Sequence, residues 1–169
     1  MAQRVESFDV GTLGLSSGEA RALEFAVPVD ELRFGGETYA TGGDADITLD
    51  VSHTTTGYAL RLRFAVDLHG PCTRCLEDAD ARVEVDAREV DQPGGDDELR
   101  SPYIDGSELD LRSWARDALA LTLPTQILCT ADCRGLCARC GANLNEDPDH
   151  AHEPELDPRW AKLSELKLD

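Results

Sequence analysis

The sequence predicts an α+β fold: an antiparallel β-sheet with a long hairpin, one or two packed helices, and a cysteine-rich C-terminal lobe. Three observations carry this. Apolar and polar residues alternate with period two around residues 46–52, 58–69 and 81–88. Apolar residues recur at helical spacing from Leu111 to Leu121. Four of the six cysteines fall within Cys129–Cys140. The expected organisation is a sheet-plus-helix body over residues 1–128 and a lobe over residues 129–169, packed on the body as one unit.

Phe8, Val10, Leu13 and Leu15 make a first short apolar segment. Residues 22–34 read as a strand with a turn at Pro28, and Gly35-Gly36 and Gly42-Gly43 punctuate a loop or edge element. Then Ile47, Leu49 and Val51 alternate with Asp46, Thr48 and Asp50. Leu60, Leu62, Phe64, Val66 and Leu68 alternate with Arg61, Arg63, Ala65, Asp67 and His69, and Val83 and Val85 with Arg82 and Glu84. Successive strand side chains point to opposite faces, so this pattern makes half-buried antiparallel strands. The last two flank Gly70-Pro71-Cys72-Thr73-Arg74-Cys75, which becomes a hairpin tip.

Residues 91–110 carry Asp91, Asp96, Asp97, Glu98, Asp105, Glu108 and Asp110 against a lone Arg100, broken by Pro93, Gly94, Gly95, Pro102 and Gly106. An exposed acidic loop is expected there. Asp110 is the expected N-cap of a helix, with Ser107 a second choice. The helix buries Leu111, Trp114, Ala115, Ala118, Leu119 and Leu121 and stops at Pro124. Asp157-Pro158 has the N-cap and N1 chemistry of a second helix, which would pack Trp160, Leu163 and Leu166.

The chain of 169 residues is 41% hydrophobic, enough for one core with a small metal-stapled lobe. Its net charge of −18 repels nucleic-acid phosphates at long range and attracts basic partners. No apolar run reaches membrane-spanning length, and Met1–Leu15 lacks the basic start and apolar core of a secretory signal. A cytoplasmic location follows as an expectation. Thiols stay reduced there, so clustered cysteines point to metal rather than to disulfides.

Cys72/Cys75 and Cys137/Cys140 are CxxC pairs, and Cys129 and Cys133 lie just before the second pair. One CxxC turn places two sulfurs on one side of an ion, and a second segment closes the tetrahedron, which makes zinc the expected cofactor. Three ligand sets are open: both CxxC pairs; Cys129, Cys133, Cys137 and Cys140; or Cys72 and Cys75 with Cys129 and Cys133. Sets that include the hairpin tip give the metal the larger folding role. His69, His150 and His152 read as solvated rather than ligating. A redox CxxC belongs at a helix start, not at a hairpin tip, so a thiol redox protein is the weaker alternative. No nucleophile–base pair, phosphate loop or paired-carboxylate site stands out, and no enzyme is expected.

Cys72-Thr-Arg-Cys75-Leu76-Glu77 after a long alternating strand resembles the YceD family of bacteria and plastids. The resemblance extends to Leu121-Thr-Leu-Pro124, to Cys133-Arg-Gly-Leu-Cys137-Ala-Arg-Cys140-Gly-Ala-Asn-Leu-Asn145 and to Asp157-Pro-Arg-Trp160-Ala-Lys-Leu163. It implies a role in accumulation or processing of large-subunit ribosomal RNA, and a link with a small basic ribosomal protein of that subunit. Some family members lack the second CxxC segment, so the six cysteines need not share one job.

Two modes of action follow. Asp96, Asp97, Glu98, Asp105 and Glu108 would contact a basic ribosomal protein, because charge complementarity speeds encounter and rejects wrong partners. Alternatively, Arg61, Arg63, Arg74, Arg134 and Arg139 would contact ribosomal RNA directly, with modest and salt-sensitive affinity. Pairing of these arginines with nearby acids is the competing expectation.

Overall fold

A computed structural model describes residues 2–96 and 99–153. Ten strands and one α-helix follow in order: β1 (Gln3–Arg4), β2 (Ser7–Asp9), β3 (Ala20–Pro28), β4 (Leu32–Phe34), β5 (Glu37–Tyr39), β6 (Asp44–His53), β7 (Tyr58–Pro71), β8 (Asp78–Asp91), β9 (Ile104–Asp105), β10 (Glu108–Asp110) and α1 (Leu111–Thr122). The main sheet has the order β1-β3-β6-β7-β8, antiparallel except for β1 on β3. The expected second helix, with Trp160, Leu163 and Leu166, lies outside the described residues.

The period-two segments form the centre of this sheet. Ile47, Leu49 and Val51, then Leu60, Leu62, Phe64, Val66 and Leu68, then Val83 and Val85 are buried on one face. The opposite face carries ion pairs between neighbouring strands: Arg61 with Asp86, Arg63 with Asp50 and Arg82 with Asp67. The β7–β8 ladder runs without interruption from Tyr58 opposite Asp91 to Pro71 opposite Asp78. A slip of one residue would turn its whole apolar row to solvent, so the buried row fixes the register. That register in turn fixes where the tip lies.

Helix α1 covers the apolar face and packs against β8 and β3. Leu111, Trp114, Ala115, Ala118 and Leu119 are buried as expected. Leu121 is not: it sits at the edge of the stripe in the last turn and is 88% exposed. Asp110 caps the helix, its carboxylate accepting from the Ser113 N–H at 2.9 Å. Asp110→Ala leaves that donor without its partner and should cost about 1 kcal/mol in chemical denaturation; an unchanged midpoint would refute the cap.

The exposed acidic loop is corrected in two places. Asp91 ends β8, is 1% exposed, and accepts from the Ser101 N–H at 3.1 Å and from Arg100 Nε at 3.2 Å. Residues 104–110 form β9 and β10, and β10 also pairs with β2 to make a three-stranded sheet. Ile104 and Leu109 are buried and anchor the turn between the acids. Asp96, Asp105 and Glu108 remain exposed, while Asp97 and Glu98 lie outside the described residues. No described helix is long and apolar enough to cross a membrane.

Candidate metal centres

The β7–β8 ladder ends at Pro71 and Asp78, leaving Cys72–Glu77 as the tip. Two backbone bonds shape it: the Cys72 N–H donates to the Glu77 carbonyl at 2.7 Å and the Leu76 N–H to the Cys72 carbonyl at 3.0 Å. The turn requires a left-handed residue after its second cysteine, and Leu76 takes it at φ 65°. Such a conformation costs an L-residue about 1–2 kcal/mol. The tip is braced from below by Tyr39. Its ring stacks on Phe34 at 4.2 Å, its hydroxyl donates to the Pro71 carbonyl at 2.9 Å, and it packs directly on the backbone of Gly70.

The segment after α1 wraps this tip. The Thr73 N–H and Oγ1 both donate to the Ile127 carbonyl, at 2.8 and 3.1 Å. The Leu136 N–H donates to the Arg74 carbonyl at 3.1 Å. Gly135, at φ 78°, passes so near that a Cβ there would lie 3.0 Å from the Arg74 carbonyl oxygen. The wrap brings Cys129 and Cys133 onto the hairpin cysteines. Cys75 Sγ lies 3.4 Å from Cys129 Sγ, and Cys72 Sγ lies 3.7 Å from Cys133 Sγ. Sulfurs at about 2.3 Å from a tetrahedral ion sit about 3.8 Å apart, so the four thiols are spaced for a shared cation. Of the three ligand sets, this is the one that joins the tip to Cys129 and Cys133.

The electrostatics of the cluster point the same way. Burial resists ionisation of Cys72, but N–H groups of Arg74, Cys75 and Cys129 and the Cys75 thiol outweigh it and bring the thiol down to about 6. Burial likewise resists ionisation of Cys133, and the Asn145 amide and the Gly135 N–H pull it down. At Cys75 a Glu77 N–H favours the thiolate, yet burial and the sulfurs of Cys129, Cys72 and Cys133 push it up to about 12. Cys129 is favoured by the Cys75 thiol but raised by burial and by Cys133 and Cys72. The four sulfurs are therefore unequal: the thiolate is favoured at Cys72 and Cys133 and disfavoured at Cys75 and Cys129. A divalent cation removes that inequality by balancing all four negative charges in part. The Asn145 side-chain amide donates to Cys133 Sγ at 3.5 Å and the Arg74 N–H to Cys72 Sγ at 3.5 Å, the outer-shell support such ligands need.

A second cluster lies outward of the first. Cys137 Sγ is 3.3 Å from His152 Nε2, and Cys140 Sγ is 3.1 Å from His150 Nε2. The solvated reading of His150 and His152 is thereby corrected. Their polar connector folds back because the Glu146 and Asp147 N–H groups donate to the Asn143 carbonyl and the His150 N–H to the Asp147 carbonyl, each at 3.2 Å. A signal for them was present: a CxxC followed ten residues later by His-x-His. His69 stays outside both clusters and pairs with Asp80.

The five arginines considered for RNA do not gather into one free patch. Arg61 and Arg63 lie on the sheet's outer face and are held by Asp86 and Asp50. Arg74 is exposed at the tip. Arg134 donates to the Pro148 carbonyl and Arg139 to the Glu153 carbonyl, both at 2.9 Å.

A long hairpin whose cysteine tip is clasped by a second cysteine segment defines a small β-rich protein with cysteine and histidine clusters compatible with metal binding. Comparison with known proteins places it. The family model described as "Large ribosomal RNA subunit accumulation protein YceD" matches residues 60–167, and the chain belongs to that family. An uncharacterized protein of Mycobacterium tuberculosis is 34% identical over 168 residues, covering 94% of this chain and 79% of that one. An uncharacterized protein of Mycobacterium leprae is 30% identical over 168 residues, covering 94% and 76%. A Zea mays protein named "Large ribosomal RNA subunit accumulation protein YCED homolog 1, chloroplastic" is 33% identical over 79 residues, covering 47% of this chain and 23% of that one. No solved structure matches the chain.

Proposed function

We propose that the protein is a non-enzymatic ribosome-biogenesis factor. It supports accumulation of large-subunit ribosomal RNA by binding a small basic ribosomal protein, and it uses a structural zinc at Cys72, Cys75, Cys129 and Cys133. Zinc is the ion that suits four thiolates in a closed tetrahedral shell with no redox task. Four protein thiols fill a tetrahedral shell and leave no coordination position for a substrate, which supports a structural ion.

Within the family, the observation that favours a basic protein over RNA is the disposition of charge. The chain holds 34 acidic residues against 16 basic ones. On the outer sheet face Arg61, Arg63 and Arg82 are already matched to carboxylates, while Asp96, Asp105 and Glu108 are exposed. A surface whose cations are internally neutralised repels phosphates and draws in a cationic chain.

The test is a pull-down of the full chain from zinc-replete lysate, with and without ribonuclease, at graded salt. A small basic ribosomal protein should be retained after nuclease and released as salt rises. Recovery of nuclease-sensitive RNA without that protein would favour direct RNA binding through the lobe. Recovery of neither would overturn the assignment to ribosome biogenesis.

A further inference from the structure

We infer that Cys137, Cys140, His150 and His152 bind a second zinc ion, at a site independent of the first and more readily exchanged. The first support is geometric. The four ligand atoms lie within 4.8 Å of one another, with the two Nε2 atoms 3.0 Å apart. A tetrahedral ion with nitrogen at about 2.0 Å and sulfur at about 2.3 Å sets ligand separations of about 3.3–3.8 Å. The Sγ–Nε2 distances of 3.3 and 3.1 Å and the Nε2–Nε2 distance of 3.0 Å need only a few tenths of an ångström of adjustment.

The second support is that the two cysteine turns have the same backbone. In the first, the Cys72 N–H reaches the Glu77 carbonyl and the Leu76 N–H reaches the Cys72 carbonyl, at 2.7 and 3.0 Å. In the second, the Cys137 N–H reaches the Ala142 carbonyl and the Gly141 N–H reaches the Cys137 carbonyl, both at 2.8 Å. The residue after the second cysteine is left-handed in both, Leu76 at φ 65° and Gly141 at φ 76°. A β-bridge between Leu136 and Asn143 closes the second turn, as the β7–β8 ladder closes the first. The chain thus makes the same ligand-presenting turn twice.

The third support is on the histidine side. Asp147 Oδ2 lies 3.5 Å from His150 Nδ1, on the far side of the ring from the sulfurs. A carboxylate beside one ring nitrogen favours the tautomer that turns the other nitrogen's lone pair to a metal. Arg134 and Arg139 hold the carbonyls of Pro148 and Glu153, bracketing both histidines from before and after. Two thiolates and two imidazoles in a tetrahedral set suit zinc.

No ligand is shared with the first cluster. The surroundings differ: Cys72, Cys75 and Cys133 are buried, whereas Cys140 and His152 are exposed. Water and chelators reach the outer ion first. The inner ion joins the lobe to the sheet; the outer one fastens the connector at residues 147–153 to its own turn.

Metal analysis and native mass spectrometry of the full chain decide this. The wild type should carry two zinc ions. His150→Ala/His152→Ala should carry one and melt within a few degrees of wild type. Cys72→Ser should lose the other ion, so failure of the inner site is distinguishable from failure of the outer. One ion in wild type, or two in the histidine variant, would overturn the inference. Should the histidine variant fold poorly, cobalt titration of the metal-free wild-type chain decides. Two successive spectra, one of a four-thiolate site and one of a two-thiolate site, are expected; a single spectrum refutes the second site.

Discussion

Cys72→Ser should release the inner ion and lower the melting temperature by about 8–16 °C or more. Cys72 is fully buried, between β7 and the wrapped segment that carries Cys133. Serine keeps the shape but replaces a thiol of the proposed zinc site with a hydroxyl that stays protonated. Three thiols are then left around a space built for a cation, and the ion that fastens the lobe to the sheet is gone. Loss of a structural metal belongs to the largest class of single-substitution effects, about 4 kcal/mol or more. At this chain length each kcal/mol moves the midpoint by about 2–4 °C. The sheet and α1 have their own core, so the far-ultraviolet spectrum should retain most of its β signal while zinc content falls. Unchanged zinc content and an unchanged midpoint would show that the four thiols do not share an ion.

Gly70→Ala should destabilise the hairpin tip without touching a ligand. A Cβ at residue 70 would lie 2.4 Å from Cδ1 of Tyr39. The ring cannot retreat freely. It is stacked on Phe34 at an interplanar angle of 4°, and its hydroxyl is tied to the Pro71 carbonyl. Either the stack or the end of β7 must shift, and the end of β7 carries Cys72. Overpacking of this kind costs about 3 kcal/mol, and here it should also weaken zinc retention. The combined variant Gly70→Ala/Tyr39→Leu should recover part of that loss, because the smaller side chain leaves room for the new methyl group. Additive destabilisation in the double variant would place the damage elsewhere than at this contact.

The sheet was legible because its information is local and redundant. Three runs of period-two alternation each name their buried face, and the hairpin tip follows from where two of them stop. Asp110 and Pro124 likewise mark the helix ends by chemistry confined to a few residues. The partners of the tip were not legible in this way. The choice of Cys129 and Cys133 depends on backbone bonds from Thr73 to Ile127 and from Leu136 to Arg74, between segments 54 to 62 residues apart in the chain. Spacing does not encode such contacts. His150 and His152 were missed because the connector that carries them is polar and lacks periodicity; their placement rests on turns around Asn143 and Asp147. Leu121 misled for the opposite reason. Its spacing fits the helix stripe, but no sheet residue covers the stripe's edge in the last turn.

The long hairpin also has a consequence for the order in which the chain acquires its shape. β7 and β8 are joined by a six-residue turn, so their ladder can zip outward from it within microseconds of chain collapse. Contacts such as β2 with β10, about a hundred residues apart, must wait for large loops to close. Cys72 and Cys75 are therefore presented together early, as half of a metal shell, before Cys129 and Cys133 arrive. An ion captured by that half-shell would shorten the search for the other half. Refolding of the metal-free chain should then dock residues 127–136 only after the hairpin has formed, and zinc should accelerate that step while leaving formation of the hairpin unchanged; a docking rate indifferent to zinc would refute capture by the half-shell.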